Sequence, residues 1–325
     1  MAWRFTANRY LQEWDGCRHR DWWPGFSFKG KAHITAQLNR PVSVRALRGS
    51  NWDVFHPTYY DPYFLRHLHG RPFVLTIHDM THELYPEGLS DRKTTPRRKA
   101  LLASRASRII AVSENTRTDV IRLLGVPPEK VVTVLHGNSL KPGALEPRVP
   151  ALGKPYWLYV GARQNYKNWD LLVRALGARA NQSDYLVMVG GGALSPSEIQ
   201  ALGQAGLSGR FHQTGASEAE LAGWYSGARG LVYPSLYEGF GMPLVEAMSW
   251  GCPVVAAQAS CLPEIGGEAA LYFDPRSVDD LMGTLSRMED PQVRTRLIDA
   301  GRGRSQRFTW ESAAEKTMQT YQESL

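Results

Sequence analysis

The sequence predicts an α/β protein built as two Rossmann-like domains in series, facing a central cleft. Three observations carry this. The chain has 325 residues, too many for one ordinary domain and suited to two of about 150 each. Short apolar, β-branched runs alternate with helical patterns from residue 40 onward, as they do where helices cover a parallel sheet. A proline- and glycine-punctuated stretch without periodicity, residues 139–155, holds Pro142, Pro147, Pro150 and Pro155 with Gly143 and Gly153 and separates the two series. The expected domains are 1–145 and 153–325.

In the first half the expected strands are Val54–His56, Phe73–Ile77, Arg108–Val112 and Val131–Leu135. Each is a continuous apolar run of the kind buried on both faces. Ser113 is placed to cap a helix from Glu114 toward Leu124, ended by Gly125 and Pro127-Pro128. In the second half alternation restarts with Tyr156–Val160 and a helix from about Trp169. The strand Tyr185–Val189, a Gly190-Gly191-Gly192 turn and helices from Ser197 and Ser217 follow. The strands Gly230–Tyr233 and Pro253–Ala256 come next, and residues 278–324 read as three helices. Ligands of such sheets bind outside the carboxyl ends of the strands.

Composition narrows the classes. No run reaches the ~18 apolar residues of a membrane helix, and the first twenty residues lack the apolar core of a signal peptide, so a cytoplasmic location is expected. Cys17, Cys252 and Cys261 form no CxxC pair. A disulfide framework or zinc site is therefore not expected, and Cys252 and Cys261 read as small core residues. The charge of +7 is uneven. Residues 1–150 carry 23 Lys and Arg against 13 Asp and Glu, and residues 151–325 carry 15 against 18. A basic first half suits an anionic partner or a solvated basic face. Arg92-Lys93 and Arg97-Arg98-Lys99 are its densest cluster.

The most informative segment is Tyr233-Pro234-Ser235-Leu236-Tyr237-Glu238-Gly239-Phe240-Gly241-Met242-Pro243-Leu244-Val245-Glu246. A strand ends at Pro234, Gly239 and Gly241 flank a tight turn, and Pro243 suits a first helical turn. The helix start offers free N–H groups to a phosphate. Two carboxylates bracket it: Glu238 in the loop, able to meet a sugar, and Glu246 in the helix, able to meet a ribose diol. A helix-capping acid beside a glycine turn is the plainer alternative. The glycines 190–192 do not complete GxGxxG, because residue 195 is Ser.

This segment resembles the Glu–seven residues–Glu motif of the family 4 retaining glycosyltransferases. The stretches Gly251–Ala257 and Leu262–Pro275 are similar to the same family. So are Thr76–Met80, Ala111–Thr116, and Tyr159–Arg163 with Tyr166-Lys167-Asn168. The resemblance covers roughly residues 50–325 and implies the GT-B fold. It implies a donor site of Gly161, Ala216, Gly239, Phe240, Gly241, Met242, Pro243, Leu244 and Glu246, with Ala216 near the nucleobase. Arg163 and Lys167 would neutralise the departing diphosphate, Glu238 would hold the sugar, and His78 would sit at the reacting face. Asp79 and His82 fall on the acceptor side. No metal or other cofactor is expected.

The implied reaction is retaining transfer of a hexose from a nucleotide diphosphate sugar to a glycan or polyprenyl-linked glycan in polysaccharide or lipopolysaccharide biosynthesis. His78-Asp79-Met80-Thr81-His82-Glu83 and Tyr166-Lys167-Asn168 resemble bacterial surface-polysaccharide mannosyltransferases and favour mannose from GDP-mannose. Two alternatives stand beside it: a non-hydrolysing sugar-nucleotide epimerase of the same fold, and a basic nucleic-acid-binding protein, although no recognition helix or aromatic RNA motif is present. One departure is plain. The family opens with a strand and a glycine-rich loop, whereas residues 1–40 read as Trp- and Arg-rich.

Overall fold

The computed structural model describes residues 4–5, 19–20, 31–49, 52–89, 91–148, 152–163, 165–179 and 185–325. Two short parallel strands, β1 (Arg4–Phe5) and β2 (His19–Arg20), lie within the Trp- and Arg-rich residues 1–40, and a helix α1 (Lys31–Leu47) begins there.

A three-stranded parallel sheet follows, in the order β3 (Val74–Ile77), β4 (Arg108–Ala111), β5 (Val131–Thr133). Its helices are α2 (Thr81–Leu84), α3 (Thr94–Arg105) and α4 (Glu114–Leu124). The expected strand Val54–His56 is reduced to a single bridge, Phe55 to Phe73. Phe55 exchanges hydrogen bonds with Pro72 and Val74, and Pro57, which has no N–H to donate, follows two residues on. Ser113 caps α4 by accepting from the Thr116 N–H, and Gly125 ends it at φ 64°, both as the sequence indicates.

The second sheet has six parallel strands in the order β11-β10-β9-β6-β7-β8. They are β6 (Tyr156–Val160), β7 (Tyr185–Val189), β8 (Phe211–Thr214), β9 (Gly230–Tyr233), β10 (Val254–Ala257) and β11 (Ala270–Phe273). Counted within this half the order is 3-2-1-4-5-6, the doubly wound order whose switch point lies between β6 and β9. Helices α5 (Trp169–Ala178), α6 (Pro196–Gln204), α7 (Glu218–Gly227), α8 (Met242–Ser249), α9 (Leu262–Gly266), α10 (Val278–Met288) and α11 (Pro291–Ser305) belong to it. Both α6 and α7 open with full capping boxes, Ser195 with Glu198 and Ser217 with Glu220.

The last helix, α12 (Trp310–Gln322), returns to the first sheet. Ala313 joins Val74, Ile110 and Val134 in one apolar cluster, and the Tyr321 hydroxyl meets His56 Nδ1 at 2.7 Å. Cys252 and Cys261 are buried free thiols; Cys17 lies outside the described residues.

Candidate active site

The loops that leave β6 and β9, the two strands at the switch point, converge. Gly161 follows β6 at φ 137°, a conformation open to glycine. A single turn at Asn165–Lys167 then leads to Asn168 at φ 54°. The Asn168 amide donates to the carbonyls of Pro234 and Pro275, and the Leu236 N–H donates to Tyr166. Held in this way, Lys167 Nζ lies 2.7 Å from Glu238 Oε1. The ammonium also stands over the rings of Tyr166 and Tyr233 at 5.3 and 5.8 Å. Burial, reinforced by the Glu238 charge, pushes the Tyr233 phenol far up.

Gly239 and Gly241 are glycines for different reasons. A Cβ on Gly239 would stand 1.7 Å from the His78 carbonyl oxygen, so only glycine lets the second half approach the first this closely. Gly241 caps α8 at φ 86°. Phe240 is buried against His136 (5.2 Å between centroids) and Phe308 (5.7 Å). The His136 ring stacks on His78 at 5.8 Å. Burial lowers the basicity of both imidazoles, His136 to about 4.

Pro243 stands in the first turn of α8 and Leu244 is fully buried. Glu246, one turn further, accepts from the Tyr225 hydroxyl at 2.8 Å. Its carboxyl is raised above the usual range, chiefly by burial. A cavity of about 280 Å³ is lined by Glu246, Met242, Ala216, Ser217 and Leu140 among others. The residues expected to meet nucleobase and ribose therefore share one hollow. A larger hollow of about 720 Å³ between α5 and α6 lies outside the cleft.

Three of the assigned side chains have partners that residue order does not show, and one expectation, that of the basic cluster, needs correction. Arg163 is engaged: its Nε donates to Glu198 at 2.7 Å, and its other nitrogens to the carbonyls of Gly190, Gly191, Gly192 and Ala193. Three successive left-handed glycines, at φ 92°, 72° and 73°, turn those carbonyls onto the guanidinium. His82 is tied through Nε2 to Asp91 at 2.8 Å, while Asp79 Oδ1 accepts from the Thr81 N–H. Lys99 does not belong to the exposed basic cluster. It is 1% exposed and donates to the Asp79 carbonyl and to Glu83.

Several contributors went unassigned from sequence. Glu198 was legible as the last letter of the Ser195–Glu198 capping box, but its grip on Arg163 was not. Glu264 lies inside a family-like stretch, yet nothing local shows that its carboxylate caps α4 in the other half. Tyr237, whose hydroxyl accepts from the Met80 N–H and donates to Asp119, likewise spans the two halves.

Two α/β sheets that present their carboxyl edges to one cleft, with a cation–carboxylate pair at the switch point of the second, have the architecture of the GT-B glycosyltransferases. Residues 6–140 match the family model described as Glycosyltransferase Family 4, and residues 154–290 match Glycosyl transferases group 1. The O-antigen chain mannosyltransferase B of Escherichia coli is 30% identical over 296 residues, 85% of this chain and 76% of that protein. The MMP alpha-(1->4)-mannosyltransferase of Mycolicibacterium hassiacum is 31% identical over 231 residues, and the match spans 69% of this chain but only 56% of that relative's length. A D-inositol 3-phosphate glycosyltransferase of Thermobifida fusca is 29% identical over 282 residues, 79% of this chain and 65% of the relative.

Among solved structures, Anabaena HepE in complex with UDP and glucose superposes with a TM-score of 0.75 at 21% identity, covering 96% of this chain and 88% of that one. Sucrose-phosphate synthase from Thermosynechococcus elongatus superposes at 0.74 and 22%, covering 94% and 83%. The chain belongs to the family 4 glycosyltransferases. With the family shown, the epimerase and nucleic-acid alternatives are set aside.

Proposed function

We propose that the chain is a retaining hexosyltransferase using a nucleotide diphosphate sugar, with mannose from GDP-mannose as the favoured donor. The observation that carries this reading is the pair Lys167–Glu238 at the switch point, beside the hollow that Glu246 and Ala216 share. The nucleoside sits in that hollow, with its ribose diol on the Glu246 oxygen that Tyr225 leaves available. The diphosphate lies at the start of α8, where unpaired N–H groups favour an anion. It takes Lys167 from Glu238, and Arg163 reaches it by exchanging Glu198 for phosphate. Glu238, released from Lys167, accepts from the sugar hydroxyls.

The acceptor hydroxyl attacks the anomeric carbon from the face that the leaving group vacates. The bond from that carbon to the diphosphate oxygen breaks as the new glycosidic bond forms, and configuration is kept. The departing diphosphate takes the acceptor proton, and Lys167 and Arg163 offset its growing charge. His78 lines the reacting face. Its low basicity keeps it a neutral imidazole, able to hydrogen-bond without repelling a cationic sugar carbon.

The acceptor is a glycan or polyprenyl-linked glycan reached from the first half. The mannosyl donor and this acceptor class rest on the mannosyltransferase relatives. Action at the cytoplasmic face of a membrane, with peripheral contact to anionic lipid, completes the reading. The test is incubation with GDP-mannose, GDP-glucose, UDP-glucose and UDP-N-acetylglucosamine, followed by slow donor hydrolysis and by transfer to lipid-linked acceptors, with and without EDTA. Turnover of GDP-mannose that persists in EDTA is expected. Preference for a UDP-sugar overturns the donor assignment, and loss of transfer in EDTA overturns the metal-free mechanism.

A further inference from the structure

The Glu238–Gly239 turn belongs to the second half, but side chains of the first half hold it. The Gly239 carbonyl accepts from Ser113 Oγ at 2.7 Å and from Thr116 Oγ1 at 3.1 Å. Both hydroxyls are fully buried. Ser113 serves twice, since its oxygen also accepts from the Thr116 N–H as the cap of α4. That bond uses one of its two lone pairs and leaves its single hydrogen for the Gly239 carbonyl, the nearer of two acceptors, Thr116 Oγ1 at 3.0 Å being the other. A third residue of the same turn, Asn115, donates through Nδ2 to Ser260 Oγ at 3.3 Å. Ser260 Oγ in turn accepts from the Glu238 N–H at 3.2 Å and donates to the Glu238 carbonyl at 2.7 Å. Residues 113, 115 and 116 thus all lead to residues 238 and 239.

The return contact comes from Glu264. Its two carboxylate oxygens accept from the N–H groups of Glu114 at 2.9 Å and Asn115 at 3.1 Å. These are two of the N–H groups that a helix start leaves without an internal partner, and a carboxylate there also meets the positive end of the helix dipole. Arg304 fixes the Glu264 segment from behind by donating to the carbonyls of residues 264 and 265. The clamp is closed on both sides: α4 aims the Glu238–Gly239 turn, and Glu264 holds α4 against it. Apart from Leu140 and Ser139, the nucleoside hollow draws its lining from α7, α8 and the residues before α7, outside this clamp.

We infer that Thr116 and Ser113 are positioning residues for the donor-sugar turn, with Glu264 locking them in place, so that the sugar is recognised only when the halves are in contact while the nucleoside binds independently. The inference rests on the proposed role of Glu238. Ser113→Ala would also remove the α4 cap, so the test uses Thr116→Val, which keeps shape and loses one hydroxyl, with Thr116→Ser as rescue and Glu264→Gln as a second probe.

Binding of GDP, GDP-mannose, UDP and UDP-glucose is measured by calorimetry, transfer by kcat and KM, and folding by circular dichroism. Thr116→Val is expected to bind the nucleoside diphosphate within about twofold of wild type and to lose about tenfold in kcat, the effect of one or more buried hydrogen bonds. Thr116→Ser should restore kcat, and Glu264→Gln should reproduce the split between nucleoside binding and turnover. Unchanged kcat in folded Thr116→Val, or a parallel fall in nucleoside diphosphate affinity, overturns the positioning role and leaves the transferase reading intact. A wild-type chain that binds none of the four nucleotides overturns the donor-site reading, and the inference with it.

Discussion

The Nζ of Lys167, on the loop after β6, lies 2.7 Å from Oε1 of Glu238, on the loop after β9. Each is the other's counter-ion, and both are largely shielded, at 16% and 11% side-chain exposure. Removing one partner of such a pair strands the other, at a cost of about 3–5 kcal/mol when burial is complete. Lys167→Met alone should therefore lower both melting temperature and turnover, the latter by about 10²-fold. The double variant Lys167→Met with Glu238→Gln should recover the melting temperature and none of the turnover. Calorimetric melting with a transfer assay on the four-member cycle checks this. Recovery of turnover in the double variant would show that the pair is structural only.

Gly239 and the His78 carbonyl are in direct contact across the cleft. An added Cβ would lie 1.7 Å from that oxygen and 2.9 Å from its carbon. Both are backbone atoms, so no side chain can swing aside. Gly239→Ala should fold with the halves displaced, at the upper end of the ~1–3 kcal/mol seen for overpacking, and without measurable transfer. Small-angle scattering with a transfer assay reads this. Wild-type turnover would mean that the close approach is not needed for catalysis.

Glu246 faces the hollow proposed for the nucleoside on one side and the fully buried Tyr225 hydroxyl on the other. Glu246→Ala should weaken nucleoside diphosphate binding about tenfold or more, through loss of a charge-assisted bond worth roughly 1.5–3 kcal/mol. It also strands the Tyr225 hydroxyl, so Glu246→Gln, which keeps an acceptor, is the cleaner variant. The sign of the proton linkage follows from burial. Because the folded carboxyl is raised above its usual 4.5, its contribution to stability is present below that value and is lost as pH rises through the raised one. Ribose donors favour the carboxylate, so in that window nucleotide binding should release a proton. Calorimetry in buffers of different ionisation enthalpy detects it, and binding of unchanged strength in Glu246→Gln and Glu246→Ala would remove the ribose assignment.

Much of this was open to reading from residue order. The apolar runs at Tyr156–Val160, Tyr185–Val189 and Gly230–Tyr233 are strands because a doubly covered sheet needs apolar side chains on both faces, and Ser113 and Ser217 cap because their oxygens replace missing backbone partners. Strand β8 was harder, since Phe211–Thr214 is a half-buried edge strand containing His212 and Gln213. Lys99 misled by its charge. Its helical register places it with Thr95, Leu102 and Ala103 on the buried face of α3, and that spacing was visible beside Arg97 and Arg98. The clamp of Glu264 on α4, the seat of Arg163 on the glycine turn and the return of α12 to the first sheet join distant residues, and no local pattern encodes such contacts.

His56 and His136 are both held near pKa 4 by burial, with His78 adding to the effect. His56 also ties α12 to the first sheet, through Tyr321 at 2.7 Å and Thr76 at 2.8 Å. A histidine with a depressed folded value is protonated first in the unfolded chain, so stability falls as pH drops from about 6.5 to about 4, at about 1.4 kcal/mol per pH unit for each ring. Melting temperature measured across that range should fall with acidity, and His56→Gln should flatten part of the slope. A flat profile in the wild type would mean that both rings titrate normally.

The basic face of the first half yields the last prediction, sharpened by the position of Lys99. On α3 and the turn before it, Arg92, Lys93 and Arg97 are exposed and Arg98 is half-buried. Lys99 points inward, to Glu83 at 3.0 Å. Each exposed Lys or Arg near an anionic surface contributes about 1 kcal/mol. The three exposed residues, with half-buried Arg98 beside them, support reversible binding, which should weaken as salt shortens the Debye length to about 3 Å at 1 M. Among the described residues no helix is long and apolar enough to cross a membrane. Changing residues 92, 93, 97 and 98 to Ser should abolish co-sedimentation with phosphatidylglycerol vesicles while leaving the fold and nucleotide binding unchanged. Lys99→Ser should behave differently. It strands Glu83, which is 11% exposed, and should lower the melting temperature without a specific effect on vesicle binding by the folded fraction. Equal sedimentation with neutral and anionic vesicles, or a fourfold serine variant that still binds at low salt, would assign this face to solvent.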